Sequence, residues 1–350
     1  MSRISDIDEN FKVKILGDRQ DAVYLNANSE AFEINGVFFE NGKYRRMPES
    51  VAKKVSEGVF WLHTHTAGGR LRFKTDSEYI SVFAKYGNIG KMPHFALTGS
   101  AGFDLYEKIE NEQRYVCSFI PEFEVFDTIS GVMDFGSAEM REFTLNFPLY
   151  SEITELVIGL QNQAVVEPPT PYKYNKPIVF YGSSITQGGC ASRAGTSYEG
   201  FISREFDTDF INLGFSGNAK GEDAMAEYIS SLDMSVFVYD YDHNAPNVKH
   251  LFETHEKMFK RIREANPSLP IIIMSRPVFN PSAEEEARLE IIKKTYNNAV
   301  NQGDKNLYLL TGKELMAVAE NEGTVDGCHP TDFGFYSMAK ALGDLLCKIL

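Results

Sequence analysis

Cysteine, tryptophan and positive charge are all scarce in this 350-residue chain. It has four cysteines and one tryptophan, and its 49 acidic residues outnumber its 35 basic residues, giving a formal charge of −14. Because the cysteines show no C-x-x-C spacing, we interpret them as reduced thiols of a cytoplasmic protein. The acidic balance argues against nucleic acid and anionic membranes as partners.

Long apolar runs are also missing. No segment approaches membrane-spanning length, and residues 1–6 lack the apolar core of a signal peptide. Hydrophobic residues make up 43% of the chain and charged residues 24%, which is typical of a soluble globular protein. This length predicts two domains, each long enough to bury a core of its own.

Residues 1–166 are predicted to form a mostly β-stranded module. Short β-rich runs alternate with turns such as Asn35-Gly36, a pattern typical of a sandwich or jelly roll. The run at 59–66 is predicted to be one of these strands, with His63 and His65 on the same face. Their spacing can serve a metal, but without an evident third ligand we interpret them as polar-face side chains.

Three prolines within residues 167–176 predict a stiff, extended connector, so we expect the β module to help build the substrate site. Beyond it, residues 177–350 alternate between strand and helix, which favours a parallel sheet with helices on both faces. The predicted strands cover 178–181, 210–213, 235–240, 270–275 and 306–310, and the predicted helices cover 197–206, 221–232, 248–265, 283–302 and 333–350.

The first of these strands runs into a turn of small residues, Gly182-Ser183-Ser184-Ile185-Thr186-Gln187. Ser184 would lie at the carboxyl end of the strand, where open parallel sheets bind their ligands. The turn does not match the G-x-S-x-G elbow, because Thr186 stands at its second glycine, and it does not match the P-loop. The block Asp326-Gly327-Cys328-His329-Pro330 stands near the other end of the chain.

These two blocks resemble the SGNH (GDSL) hydrolase superfamily, which has Gly-Asp-Ser-Ile-Thr near the start of its domain and Asp-x-x-His near the end. Ser183 stands in place of the family's aspartate. The segment Gly102-Phe103-Asp104-Leu105-Tyr106 is similar to the signature of a β-rich module that precedes this domain in one branch, where Gly-Ser-Ser-Ile-Thr-Gln is usual. The resemblance implies a flavodoxin-like hydrolase domain behind a jelly-roll-like module.

The resemblance also implies a set of catalytic residues. Ser184 would be the nucleophile, His329 its base, and Asp326 the group that orients the imidazole. His243 is a rival base, but it lacks the Asp-x-x-His context. No cofactor or metal is expected.

Three donors are expected to stabilise the oxyanion of the reaction. They are the backbone N–H groups of Ser184 and Gly217 and the side chain of Asn244. The family's Gly-x-Asn-Asp motif is not intact near Asn244, so Asn247 stays open as an alternative.

The sequence therefore predicts a serine esterase that hydrolyses short acyl esters, chiefly acetyl, of a carbohydrate or similar polyol through an acyl-enzyme. Small and polar residues around Ser184 favour a short acyl group. The expected partner is a small-molecule or oligosaccharide ester, and the oligomeric state is open. The alternatives are an SGNH-type acyltransferase that passes the acyl group to an alcohol, and a non-catalytic sugar-binding protein.

Overall fold

The computed structural model describes residue 19 and residues 21–110 and 112–350. The predicted absence of a signal peptide concerns residues 1–6, which lie outside the described residues. Within the described ranges, no helix is both long and apolar enough to cross a membrane.

The N-terminal part contains two antiparallel sheets. One has the strand order β1-β11-β6-β9, and the other has the order β12-β5-β10-β7-β8, with β2 also paired to β5 and a separate β3-β4 hairpin. The strands are β1 Ala22–Asn26, β2 Glu33–Asn35, β3 Phe38–Glu40, β4 Lys43–Arg45, β5 Arg70–Thr75, β6 Tyr79–Ile89, β7 Phe103–Ile109, β8 Glu112–Phe119, β9 Thr128–Asp134, β10 Arg141–Asn146, β11 Ser151–Gln161 and β12 Val166–Glu167. Side chains that alternate along these strands, such as Leu71, Phe73 and Val82, form one buried core.

Three short helices interrupt this part: α1 Glu49–Val55, α2 Glu57–Leu62 and α3 Leu97–Ser100. The prediction of a strand at 59–66 is therefore wrong, and His63 and His65 do not share a strand face. Ser56 caps α2 by accepting a hydrogen bond from the backbone N–H of Val59 at 3.1 Å. Val59 and Leu62, three residues apart, then pack into the core of the C-terminal part.

The C-terminal part is a five-stranded parallel sheet with the order β14-β13-β15-β16-β17, which is the flavodoxin-like order. Its strands are β13 Tyr174–Gly182, β14 Thr208–Gly214, β15 Val236–Asp240, β16 Ile271–Met274 and β17 Leu307–Leu310. Its helices are α4 Tyr198–Phe206, α5 Asp223–Ser230, α6 Val248–Ala265, α7 Ala283–Asn301, α8 Gly312–Leu315 and α9 Asp332–Leu346.

Helices cover both faces of this sheet, as predicted. Alternate residues of β13 enter different cores: Val179 packs with Met225 of α5, whereas Phe180 packs with Ile202 of α4 and Phe335 of α9. Near-continuous apolar strands are expected when both sheet faces are covered.

The two parts are joined by buried polar contacts as well as by apolar ones. The guanidinium of Arg46 is fully buried and donates to the backbone carbonyls of Gly214 at 2.6 Å, Leu62 at 2.7 Å and His65 at 2.7 Å. Arg70 pairs with Asp209 across the same boundary. Each of these arginines thus ties the β module to the edge strand β14 or the loop after it.

The Gly-x-Asp-Leu-Tyr segment also lies at this boundary. The buried carboxylate of Asp104 accepts a hydrogen bond from the backbone N–H of Gly195 at 2.9 Å, and its oxygen lies 3.5 Å from Nε of Arg193. The guanidinium of Arg204 stacks over the ring of Tyr106 at 4.4 Å. The motif therefore makes structural contacts with the hydrolase-like part.

The proline-rich connector is held against the β module. Arg72 donates to the carbonyl of Thr170 at 2.5 Å and stacks over the ring of Tyr172 at 3.7 Å. Strand β12 ends and β13 begins within the predicted connector, residues 167–176. The division of the chain into 1–166 and 177–350 as separate domains stays a prediction.

Candidate active site

The predicted site residues lie on loops that leave one edge of the parallel sheet. Gly182, the last residue of β13, is paired with Gly214 at the end of β14 and with Asp240 at the end of β15. Because the strands are parallel, the loops that carry Ser184, Gly217 and Asn244 all begin at this edge.

The turn that holds Ser184 is ordered by short-range hydrogen bonds. The hydroxyl of Ser183 accepts from the backbone N–H of Ile185 at 3.1 Å. The carbonyl of Ser184 accepts from Gly189 at 2.9 Å and from the hydroxyl of Tyr150 at 3.0 Å. Ser183 thus supplies an acceptor for the turn at the position where the family has an aspartate.

Ser184, His329 and Asp326 form a continuous chain of hydrogen bonds. Oγ of Ser184 lies 3.0 Å from Nε2 of His329, and Nδ1 of His329 lies 2.8 Å from Oδ2 of Asp326. The other oxygen of Asp326 accepts from the backbone N–H groups of Cys328 at 2.9 Å and His329 at 2.7 Å. The sequence-predicted trio is therefore assembled with the nucleophile–base–carboxylate geometry of acyl transfer.

The pKa values of Asp326 and His329 are shifted in opposite directions. Burial acts to raise the pKa of Asp326, but hydrogen bonds from the backbone and ring of His329 outweigh it and hold the pKa at about 2. The pKa of His329 is raised to about 9. The contact with the sulfur of Cys328 contributes most, burial opposes it, and Asp326 adds to the increase.

The structure gives different information on the expected oxyanion donors Gly217 and Asn244 and on the alternative Asn247. Gly217 has φ +68°, a conformation that favours glycine, and a Cβ added there would meet no atom within 4 Å. Oδ1 of Asn244 accepts from the backbone N–H of Ala219 at 3.3 Å, which turns the amide NH2 away from that contact. Asn247 caps helix α6 by accepting from His250 at 2.9 Å. Both amides thus accept through their oxygen, and Asn244, with Asn247 as the alternative, stays our prediction for the donor.

His243 contacts Cys328 instead of Ser184. Its Nε2 lies 3.2 Å from Sγ of Cys328, whereas Ser184 bonds to His329. Burial lowers the pKa of His243 to about 3, with Arg276 contributing in the same direction. His243, the alternative base, is thus a neutral side chain that contacts Cys328 and not the nucleophile.

The β module contributes side chains that the sequence did not assign to the site. Nε2 of His94 lies 3.9 Å from Oδ2 of Asp326, and its ring centroid lies 5.7 Å from that of His329. His65 contacts the side chain of Gln187, with 3.1 Å between Nδ1 and Nε2. Only Gln187 carried a local signal, since it belongs to the Gly-Ser-Ser-Ile-Thr-Gln block.

Gln187 links the β module to the oxyanion loop. Its Oε1 accepts from the backbone N–H of Ser216 at 3.0 Å, on the side opposite to His65. The residue before Gly217 is therefore held by a side chain that the β module itself orients.

Two groups of side chains near His329 bring metal-binding atoms within 4.8 Å of one another: His94, Cys190 and His329, and Asp326, Cys328 and His329. Both groups require a ring nitrogen of His329. Since both nitrogens bond to Ser184 or Asp326, a metal here would compete with the hydrogen-bonded trio.

Models of known families match both parts of the chain. Residues 175–347 match the model of the GDSL-like lipase/acylhydrolase family, and residues 22–166 match the model named GxDLY, the N-terminus of SGNH-hydrolase-type esterases. The chain belongs to the SGNH (GDSL) hydrolase superfamily. A search of curated proteins finds no match.

Three solved structures illustrate what this chain is similar to. A protein described as a GDSL-like lipase from Bacteroides ovatus is 29% identical, with a TM-score of 0.84 over 94% of this chain and 98% of that chain. The salicylyl-acyltransferase SsfX3 of a tetracycline biosynthetic pathway is 18% identical, with a TM-score of 0.75 over the same shares. A family two carbohydrate esterase from Clostridium thermocellum, solved with cellohexaose, is 13% identical, with a TM-score of 0.61 over 91% and 98%. The last two likenesses concern the fold.

Proposed function

We propose that this SGNH hydrolase is a serine esterase that removes short acyl groups, chiefly acetyl, from a carbohydrate or similar polyol. The observation that carries the proposal is the chain of hydrogen bonds from Ser184 through His329 to Asp326. A sugar-binding protein without catalysis has no need of this assembly, so the arrangement counts against that alternative.

In the proposed reaction, Oγ of Ser184 attacks the carbonyl carbon of the ester while its proton passes to Nε2 of His329. The tetrahedral oxyanion is stabilised by the N–H groups of Ser184 and Gly217 and by the amide of Asn244. The C–O bond to the alcohol then breaks, and His329 protonates the departing oxygen. Water then attacks the acyl-enzyme while its proton passes to His329. The bond to Oγ of Ser184 breaks, His329 returns the proton to Oγ, and the carboxylic acid leaves.

The preference for a short acyl group rests on the residues next to the nucleophile. Gly188 packs against Leu149, and Gly189 lies close to the hydroxyl of Tyr150, so side chains already fill the space beside this turn. Each extra methylene of an acyl chain gains about 0.8 kcal/mol only where apolar surface receives it. We therefore expect kcat/KM to fall from acetyl to butyryl to octanoyl esters of one alcohol.

The test of the function is the rate of ester cleavage by the wild type and by Ser184→Ala. Removing the nucleophile should lower kcat on phenyl acetate by about a thousandfold or more, while circular dichroism stays unchanged. A Ser184→Ala rate within tenfold of wild type would refute the serine mechanism. Activity that rises with acyl length would refute the acetyl preference.

Acyl transfer to an alcohol is the second candidate, and the fold likeness to a salicylyl-acyltransferase favours it. Both reactions share the acyl-enzyme and differ in whether water or an alcohol resolves it. Product analysis with an acetyl donor and an added polyol separates them: hydrolysis yields acetate alone, whereas transfer yields the new ester.

A further inference from the structure

A cavity that is not lined by Ser184, His329 or Asp326 lies in the β module, between strand β4, helix α2 and the end of strand β6. Its volume is about 400 Å³, within the range of small-molecule sites. The side chains that matter to its chemistry are Lys43, Arg45, Glu49, Trp61, Asn88 and Glu152.

Two of the segments that border this cavity also contact the catalytic loops. Helix α2 carries Gly58, whose Cα lies so close to Asn218 that an added Cβ would stand 1.9 Å from its Oδ1. His65 lines the cavity and contacts Gln187, with 3.1 Å between Nδ1 and Nε2, and Oε1 of Gln187 accepts from the backbone N–H of Ser216. The lining of the cavity is therefore connected through Gln187 to the loop that carries Gly217.

The charges that line the cavity are paired with one another. Nζ of Lys43 lies 2.9 Å from Glu152, and the guanidinium of Arg45 lies 2.9 Å from Glu49. Burial lowers the pKa of His63, which contacts Arg45 at 2.6 Å and so remains neutral at pH 7. With two cations matched by two carboxylates, the cavity suits an uncharged ligand with many hydroxyl groups.

An aromatic wall completes the cavity. Trp61 is 63% exposed and Phe60 stands beside it, whereas the remaining nine of the eleven lining residues are polar. A pyranose ring has an apolar face of C–H groups that packs on an aromatic ring and an edge of hydroxyls that needs polar partners.

We propose that this cavity binds a sugar ring of the acylated substrate, with Trp61 as the stacking platform and the paired charges and Asn88 as hydroxyl partners. The proposal rests on the proposed carbohydrate esterase function for the identity of the substrate. The cavity would hold the ring next to the acetylated one, so the β module would select the carbohydrate while the hydrolase domain cleaves the ester.

Trp61 is the single tryptophan of the chain, so its fluorescence reports this cavity directly. Titration of the intact protein with unesterified xylo-oligosaccharides and cello-oligosaccharides should give a saturable change in tryptophan emission and protection from acrylamide quenching. This readout needs no esterase activity, so it holds even if the proposed function fails. No saturable change with either series, or a change with salicyl alcohol alone, would overturn the proposal.

Kinetics provide the second test. Trp61→Ala should lower kcat/KM for an acetylated oligosaccharide by about tenfold more than for phenyl acetate, chiefly through KM, as expected when one stacking contact is lost. Phe252→Ala is the matched control, because Phe252 is 55% exposed on helix α6 and does not line the cavity. Equal losses on both esters would overturn the proposal, whereas an inactive wild type would refute the esterase function instead.

Discussion

Removal of the Cys328 sulfur is expected to shift the pH profile of ester cleavage to lower pH. Sγ of Cys328 lies 4.0 Å from Nε2 of His329, and this contact makes the largest contribution to the raised pKa of about 9. Because His329 accepts a proton only when neutral, kcat/KM of the wild type should rise as the pH increases through about 9. The sequence alone predicted a rise through the ordinary histidine pKa, between about 6 and 7.

The size of the effect follows from the fraction of neutral imidazole. At pH 7, two units below the raised pKa, roughly one enzyme molecule in a hundred has a neutral His329. If Cys328→Ala lowers the pKa by one unit, kcat/KM at pH 7 rises about tenfold, while the plateau at high pH changes far less. The assay is kcat/KM for phenyl acetate from pH 6 to pH 10, with spontaneous hydrolysis subtracted.

Cys347→Ala is the control for this experiment, because Cys347 is an exposed residue that directly follows helix α9. Its profile should coincide with that of the wild type. The reasoning is refuted if Cys328→Ala leaves the midpoint where it was or moves it upward. A wild-type midpoint near 6.5 would also refute it, since the sulfur would then have no effect on the imidazole.

Three further results are expected. Asn244→Ala should lower kcat by about a hundredfold or more as an oxyanion donor is lost, whereas Asn247→Ala should keep kcat and lose about 1 kcal/mol of stability as a helix cap is lost. Arg46→Met should lower the free energy of unfolding in urea by about 3 kcal/mol, because it leaves several buried carbonyls without a donor. Zn²⁺ should inhibit ester cleavage, and EDTA should reverse this inhibition. Cys190→Ser should weaken the inhibition by Zn²⁺; equal inhibition of the wild type and the variant would contradict a zinc site formed by His94, Cys190 and His329.

The strands and long helices of the parallel-sheet part could be predicted closely, because its strands are short apolar runs and its helices lie between them in regular alternation. The helix predicted at 248–265 has the same bounds in the structure, and the strand predicted at 235–240 differs by one residue. The pattern of residues 59–66 did not distinguish a helix from a strand, since a short apolar run fits a strand or a buried helix. Ser56 was the available signal for a helix start, and in the structure it caps α2.

The hydrogen-bonded trio was predictable because its members stand in two short sequence blocks. His94 and Tyr150 were not, because nothing local to either residue points to Ser184. Tyr150 bonds to the carbonyl of Ser184, and His94 approaches Asp326, only because the β module docks on the sheet domain. Long-range contacts of this kind depend on the packed interface rather than on the spacing of residues in the chain.

The contact between Asp104 and Gly195 limits how freely the β module could be exchanged in a chimeric protein. Because burial raises the pKa of Asp104, its carboxylate depends on the partners that the second domain supplies. A chimera that exchanged the β module for an unrelated one would leave the Gly195 backbone without its acceptor, next to a newly exposed interface. Neither part can therefore be exchanged alone without the loss of this buried hydrogen bond.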